Sequence, residues 1–174
     1  GASNVAVGSA ALDANTTGTY NVGVGYEALS ASTTTSQNTG VGYRALKDNT
    51  GSYNSAFGMS ALQSNTTGSN NTAVGRDALV SNTTGANNTA VGYLSLYTNS
   101  TGASNTAFGA EALEKNTTDS NTAFGYQAAE ETTTGDFNVA VGASAFEDNT
   151  TGAQNTAIGG YALRNNTTAN NNVA

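Results

Sequence analysis

The residues whose types best suit chemistry are two pairs of adjacent acids, Glu130-Glu131 and Glu147-Asp148. Paired carboxylates are what glycoside hydrolysis requires, one protonating the leaving group while the other acts as base or nucleophile. The pairs are 17 residues apart, a spacing that in a coiled chain of that period puts them within about 5 Å of each other. An acidic site or a bound cation is the sharp reading, and a solvated face the plain one. The plain one is preferred, because the equivalent places elsewhere in the chain accept almost any residue. With no His and no Cys, imidazole-based Ser or Cys mechanisms fall away, as do disulfides and thiolate metal sites. Acids do not recur at fixed places in each repeat, and the glycine-aspartate nonapeptide of calcium-binding rolls is missing. The glycines lack the Lys-Ser/Thr that follows in a phosphate cradle. Asn-x-Thr matches at Asn15, Asn65, Asn82 and Asn116 follow from the repeat itself. The chain reads as non-enzymatic, with no cofactor and no metal site.

Composition narrows the partners. Only 10% of residues are charged, against roughly 25% in ordinary domains. The chain has 24 Asn, 28 Thr and 21 Gly, no Pro and no Trp, and a net charge of -7. Its five cations, Arg44, Lys47, Arg76, Lys115 and Arg164, are scattered, so neither nucleic acid nor an anionic membrane surface is expected as a partner. No apolar run approaches the roughly 20 residues of a membrane span. A weakly acidic, Asn/Thr-rich chain without Cys points to the outside of a cell or virion.

The elements that position every candidate come from internal repetition. Aligned on Asn, ten repeats of 16 or 17 residues begin at Asn4, Asn21, Asn38, Asn54, Asn71, Asn88, Asn105, Asn121, Asn138 and Asn155. A truncated eleventh is placed at Asn171. Residues 1–174 therefore form one solenoid of about ten coils, which reads as a piece of a longer chain. The consensus is N-T-A-V-G-Y-x-A-L-x-x-N-T-T-G-x-x. Position 5 is always Gly: Gly8, Gly25, Gly42, Gly58, Gly75, Gly92, Gly109, Gly125, Gly142 and Gly159. Gly there permits a sharp turn or a positive φ. Shortened repeats, those from Asn38, Asn105 and Asn155, lose their residue in the Thr-Thr-Gly stretch. That marks positions 12 to 17 as an outer turn and positions 2 to 5 as the packed strand.

Segments such as 138–142 (Asn-Val-Ala-Val-Gly) alternate in period two. Positions 2 and 4 share one strand face and position 3 the other. Large apolar residues at positions 4 and 9 are taken as the core: Val7, Leu12, Val24, Leu29, Val41, Leu46, Phe57, Leu62, Val74, Leu79, Val91, Leu96, Phe108, Leu113, Phe124, Val141, Phe146, Ile158 and Leu163. Positions 6 to 9 read as a second short strand, with a helical turn as the alternative. The fold class is all-β, a parallel β-solenoid, with the position-1 Asn stacked into a ladder. A second Asn rank, at position 12 (Asn15, Asn49, Asn65, Asn82, Asn99, Asn116, Asn149, Asn166), is expected to do the same or to start an Asx turn. At about 4.8 Å per coil the rod is about 48 Å long.

Two large apolar side chains per coil make a thin core to set against the ordering of a whole coil. Self-association, as a homotrimer or fibre, is the expected remedy, with the Ala/Gly face of the strand admitting a second chain closely.

The segments from Asn4 to Gly8, Asn71 to Gly75 and Asn138 to Gly142 resemble the head repeat of trimeric autotransporter adhesins, and related repeats of phage tail fibres and bacterial surface proteins. The resemblance runs the length of the chain. It implies a left-handed parallel β-roll, three chains side by side, no catalytic residues, and an extracellular fibre or surface role with a host protein or glycan as ligand. The family repeat is nearer 14 residues, and this one has a longer Thr-Thr-Gly turn. Two other readings stay open. Thr16, Thr33, Thr50, Thr66, Thr83, Thr117, Thr150 and Thr167 align in a rank that resembles the surfaces of ice-binding solenoids. The acid pairs leave a polysaccharide-acting enzyme as a distant third. Tyr26, Tyr43, Tyr93 and Tyr126 at position 6 form either an exposed aromatic strip or an interchain contact.

Overall fold

A computed structural model describes all 174 residues. Ten three-residue strands run from β1 (Val5–Val7) and β2 (Val22–Val24) through β5 (Thr72–Val74) and β6 (Thr89–Val91) to β9 (Val139–Val141) and β10 (Thr156–Ile158), each at positions 2 to 4 of its repeat. They form one parallel sheet in strict sequence order. Register is fixed by the repeat: Thr72, Ala73 and Val74 pair with Thr89, Ala90 and Val91. The fold is a β-solenoid with one strand per coil, and the remaining residues are turns.

Positions 6 to 9 are neither a second strand nor a helical turn. Positions 7 and 9 have left-handed backbone, as at Glu27 (φ 53) and Leu29 (φ 54), and so does the residue before each ladder Asn, as at Tyr20 (φ 58). The chain turns three corners this way, with Gly25 (φ 135) supplying a further one. A Cβ on Gly25 would fall on the Gly42 backbone of the next coil, so that corner excludes any side chain. Left-handed backbone costs an L-residue roughly 1–2 kcal/mol, and β-branched residues tolerate it worst. None of the 31 non-Gly residues with positive φ is Val, Ile or Thr. Hydrogen bonds to both neighbouring coils hold each corner: the Glu27 N–H donates back to Ser9 O (3.0 Å) and the Leu29 N–H forward to Ala45 O (3.1 Å).

The interior is the reverse of the expected one at position 4. The Ala or Gly at position 3 points inward, and Ala56, Ala73, Ala90, Ala107, Ala123, Ala140 and Ala157 are all fully buried. They pack with position-8 alanines and with the position-9 row from Leu12 to Phe146 in one continuous cluster, against which Leu163 is partly buried. Val7, Val24, Val41, Phe57, Val74, Val91, Phe108, Phe124, Val141 and Ile158 lie outside the coil, none of them buried. The reason is room. A Cβ built on Gly23 already lies 3.2 Å from the Leu12 side chain and from Ala28 O, so the strand's inner row has no space beyond Ala. The Ala/Gly face is therefore filled by its own chain and cannot receive a second one.

Two polar columns complete the interior. Each position-1 Asn accepts the main-chain N–H of the next ladder Asn on its Oδ1, as Asn88 does from Asn105 at 2.9 Å. Its Nδ2 closes its own coil on position 15, as Asn88 does on Gly102 O at 2.8 Å. Position 12 forms the second column, where Asn82 Nδ2 donates to Asn65 Oδ1 (2.7 Å) and Gly85 O (3.0 Å). The outer turn is thus buried at two of its residues. The first column also moves the eleventh coil: Asn172, not Asn171, donates to Asn155 Oδ1 (2.9 Å). Asn171 has the positive φ of the residue before a ladder Asn. The repeat from Asn155 accordingly has 17 residues, leaving two shortened coils.

Candidate functional site

The acid pairs are drawn into separate ion pairs. Lys115 Nζ meets Glu131 Oε1 at 2.5 Å, and Arg164 Nη2 meets Glu147 Oε1 at 3.0 Å. Burial, reinforced by Glu111 of the same coil, raises the Glu114 carboxyl above the ordinary range, and burial reinforced by Glu114 of the preceding coil does the same to Glu130. Glu147 is lowered by hydrogen bonds from Ser144 and Arg164. No three acids converge to hold a metal ion. This face carries charge stacked one coil above another, with two carboxylates committed to cations.

The Thr rank of the outer turn is also committed. Thr16, Thr66 and Thr150 donate their hydroxyls to the carbonyls of Thr33, Thr83 and Thr167 in the next coil, at 3.1, 2.8 and 3.0 Å. Those hydroxyls serve as ladder bonds between coils. The Asn-x-Thr matches behave alike: Asn65, Asn82 and Asn116 are fully buried, their amides donating to the carbonyls of Gly68, Gly85 and Thr118 in their own turns.

What stays exposed is the outer face of the sheet. The position-4 row reaches 57% exposure at Val7, 45% at Phe108 and 62% at Ile158. Phe108 and Phe124 stack face to face across adjacent coils, centroids 4.6 Å apart and planes 2° apart. Beside them runs position 2, half-buried and mostly Thr. The strip follows the rod for about 48 Å and is about 10 Å wide, on the order of 500 Å², at the upper end of what a monomer leaves bare. Period-two alternation places positions 2 and 4 together, but not which side is inward. The restriction of position 3 to Ala and Gly, beside the large residues of position 9, is the signal that decides it.

A second cluster lies on the adjoining side of coils 1 to 3. Tyr26 and Tyr43 stack with centroids 5.4 Å apart and planes at 13°. Arg44 lies 5.0 Å over the Tyr43 ring while its Nε meets Glu27 Oε2 at 2.8 Å. Lys47 Nζ is 3.6 Å from the same oxygen. Burial pushes the Glu27 carboxyl up, but hydrogen bonds from Tyr26 and Arg44 outweigh it and hold it below the ordinary value. Position 6 does not form a continuous aromatic strip, since Met59, Arg76 and Ala110 interrupt it. Next to Glu27 is a shallow groove of about 340 Å³ lined by Ala10, Asp13, Ser30, Ala31, Lys47 and Asp48 among others.

Comparison with family models, with curated proteins and with solved structures finds no match for this chain.

Proposed function

We propose that the chain is a non-enzymatic structural and adhesive rod, the repeat segment of an extracellular fibre, tail fibre or surface adhesin head, that associates with copies of itself. The observation that carries this reading is the apolar strip at position 4. Ten large side chains in register along one flat face make a surface that water disfavours and that another such strip matches coil for coil. A homotrimer brings three strips to one axis, in keeping with the resemblance of the repeat to trimeric adhesin heads. A standard interface takes about 800 Å² per partner. The strip supplies much of that and exposed aromatics such as Tyr20, Tyr53 and Phe137 can extend it. Sedimentation equilibrium over a wide concentration range tests this: a trimer or higher assembly is expected, and a monomer that melts cooperatively overturns it.

Ice binding is the second reading, moved to a different row. The hydroxyls of Thr72, Thr89, Thr106 and Thr122 sit on the outer strand face beside Val or Phe, in register across coils. They favour an ordered water layer more than the turn rank does. Absence of thermal hysteresis in a monomeric sample removes this reading. A glycan-hydrolysing activity abolished by replacing Glu130, Glu131 and Glu147 is what would restore the enzyme reading.

A further inference from the structure

We infer that the groove across coils 1 to 3 is a binding site for an uncharged hexose-based glycan. The inference rests on the adhesive half of the proposed function and gives it a ligand class and a place. The groove exists because the repeat is interrupted there. Coil 2 carries Ser30 and Ala31 at positions 10 and 11, between Asp13 of coil 1 and Lys47-Asp48 of coil 3. Coil 6 fills the equivalent place with Tyr97 and coil 7 with Glu114 and Lys115. The dip of about 340 Å³ is at the small end of ligand-sized sites, about 300–1,000 Å³.

The lining suits a sugar. Asp13, Glu27 and Asp48 are carboxylates that accept from hydroxyls, Lys47 can donate, the Ser30 hydroxyl donates to Lys47 O at 3.5 Å and can accept, and Ala10, Ala14 and Ala31 form a small apolar floor. Three acids against one lysine disfavour an anionic sugar. Next to Glu27 in the chain, beyond the groove lining itself, Tyr26 stacks on Tyr43 with one ring face only. Its neighbour on the other side, at position 6 of coil 1, is Ser9, which is too small to cover the other face. A half-exposed aromatic ring with a free face, beside planar polar groups, is the arrangement that takes the C–H face of a hexose. Arg44 and Lys47 both engage Glu27 and fix that wall before any ligand arrives.

The test titrates the intact chain with cellotriose, maltotriose and sialyllactose by ligand-detected NMR. At least one neutral trisaccharide is expected to bind with a Kd on the order of millimolar, and sialyllactose at least about ten-fold more weakly. Ser30→Tyr installs the residue that coil 6 already accepts at that position, so the rod tolerates it while the groove is filled. It is expected to lower affinity at least about ten-fold, as is Tyr26→Ala. Binding that survives Ser30→Tyr overturns the site. Equal binding of sialyllactose, or no binding of either neutral trisaccharide, overturns the ligand class. Sedimentation of the same samples reports self-association independently, so a failed sugar titration is distinguishable from a failed rod.

Discussion

Replacing Asn88 by Ala removes one rung of the first Asn column, and its cost follows from the geometry. Asn88 is fully buried. Its Oδ1 is the acceptor for the Asn105 N–H at 2.9 Å, and its Nδ2 donates to Gly102 O at 2.8 Å. Gly102 O keeps a second donor, Asn99 Nδ2 at 2.9 Å. The Asn105 N–H keeps none. A buried unpaired donor costs about 1–3 kcal/mol and a lost hydrogen bond to a still-paired carbonyl about 0.5–1.5 kcal/mol, so Asn88→Ala is expected to cost about 1.5–4.5 kcal/mol. Position 12 is more forgiving, because the chain itself places Ser32 and Thr132 there, and Ser32 Oγ donates to Asn49 O at 3.0 Å. Asn82→Ser should therefore cost about 1 kcal/mol, well below Asn88→Ser. Urea unfolding followed by circular dichroism at one protein concentration, with unchanged m-values, measures both. A loss below about 0.5 kcal/mol for Asn88→Ala, or the reverse order of the two Ser variants, refutes the assignment of the first column as the stricter one.

Three further outcomes are expected. Phe108→Ser with Phe124→Ser should weaken self-association in sedimentation while leaving the far-ultraviolet spectrum of the rod unchanged, since both rings lie outside the coil; an unchanged assembly counts against the strip as the interface. Stability should rise as pH falls from neutrality toward 4.5, because Glu114 and Glu130 have raised folded values, so their contribution is lost as pH rises through those values and is complete below the ordinary one. Below 4.5 the trend should reverse as Glu27 and Glu147, whose folded values are lowered, take up protons; a thermal melt that is flat with pH argues against both effects. Ala129→Leu alone should overpack by about 1–3 kcal/mol. Paired with Phe146→Leu it should recover most of that, and simple additivity in a double-mutant cycle would deny that the two positions share volume.

The coil, its strand and its register were legible because the repeat states them ten times. Val139, Ala140 and Val141 announce a period of two, and the Asn spacing sets which strand residues pair. What hydrophobicity alone misplaces is the sign of the strand, which the small residues of position 3 carry instead. Apolar residues at position 4 look like a core on hydrophobicity alone, and in a globule they would be one. The turns were misjudged for a related reason. Ala-Leu at positions 8 and 9 has good helix and strand propensity, whereas left-handed backbone at Leu29 or Leu46 runs against local preference and exists only because both neighbouring coils hold it. The trace it left is a gap in composition: in a chain with 28 Thr, none stands at position 7, at position 9 or just before a ladder Asn. The groove beside Glu27 was illegible, because it arises from small residues in one coil next to larger ones in its neighbours.

The two sides of the strand obey opposite rules, and this ties the fold to the proposed role. Inside, volume is conserved. Position 3 never exceeds Ala, and where position 9 falls to Ala129 the next coil answers with Phe146, both essentially inaccessible to solvent. Outside, volume varies freely from Val74 to Phe108 to Ile158, but polarity does not: no charged or hydrogen-bonding residue enters the position-4 row in any of the ten coils. Strand propensity favours Val, Ile and Phe there, and cross-strand stacking such as that of Phe108 on Phe124 adds to it. On the proposed reading the row is covered, and a copy of the same rod suits it because it repeats at the same coil spacing.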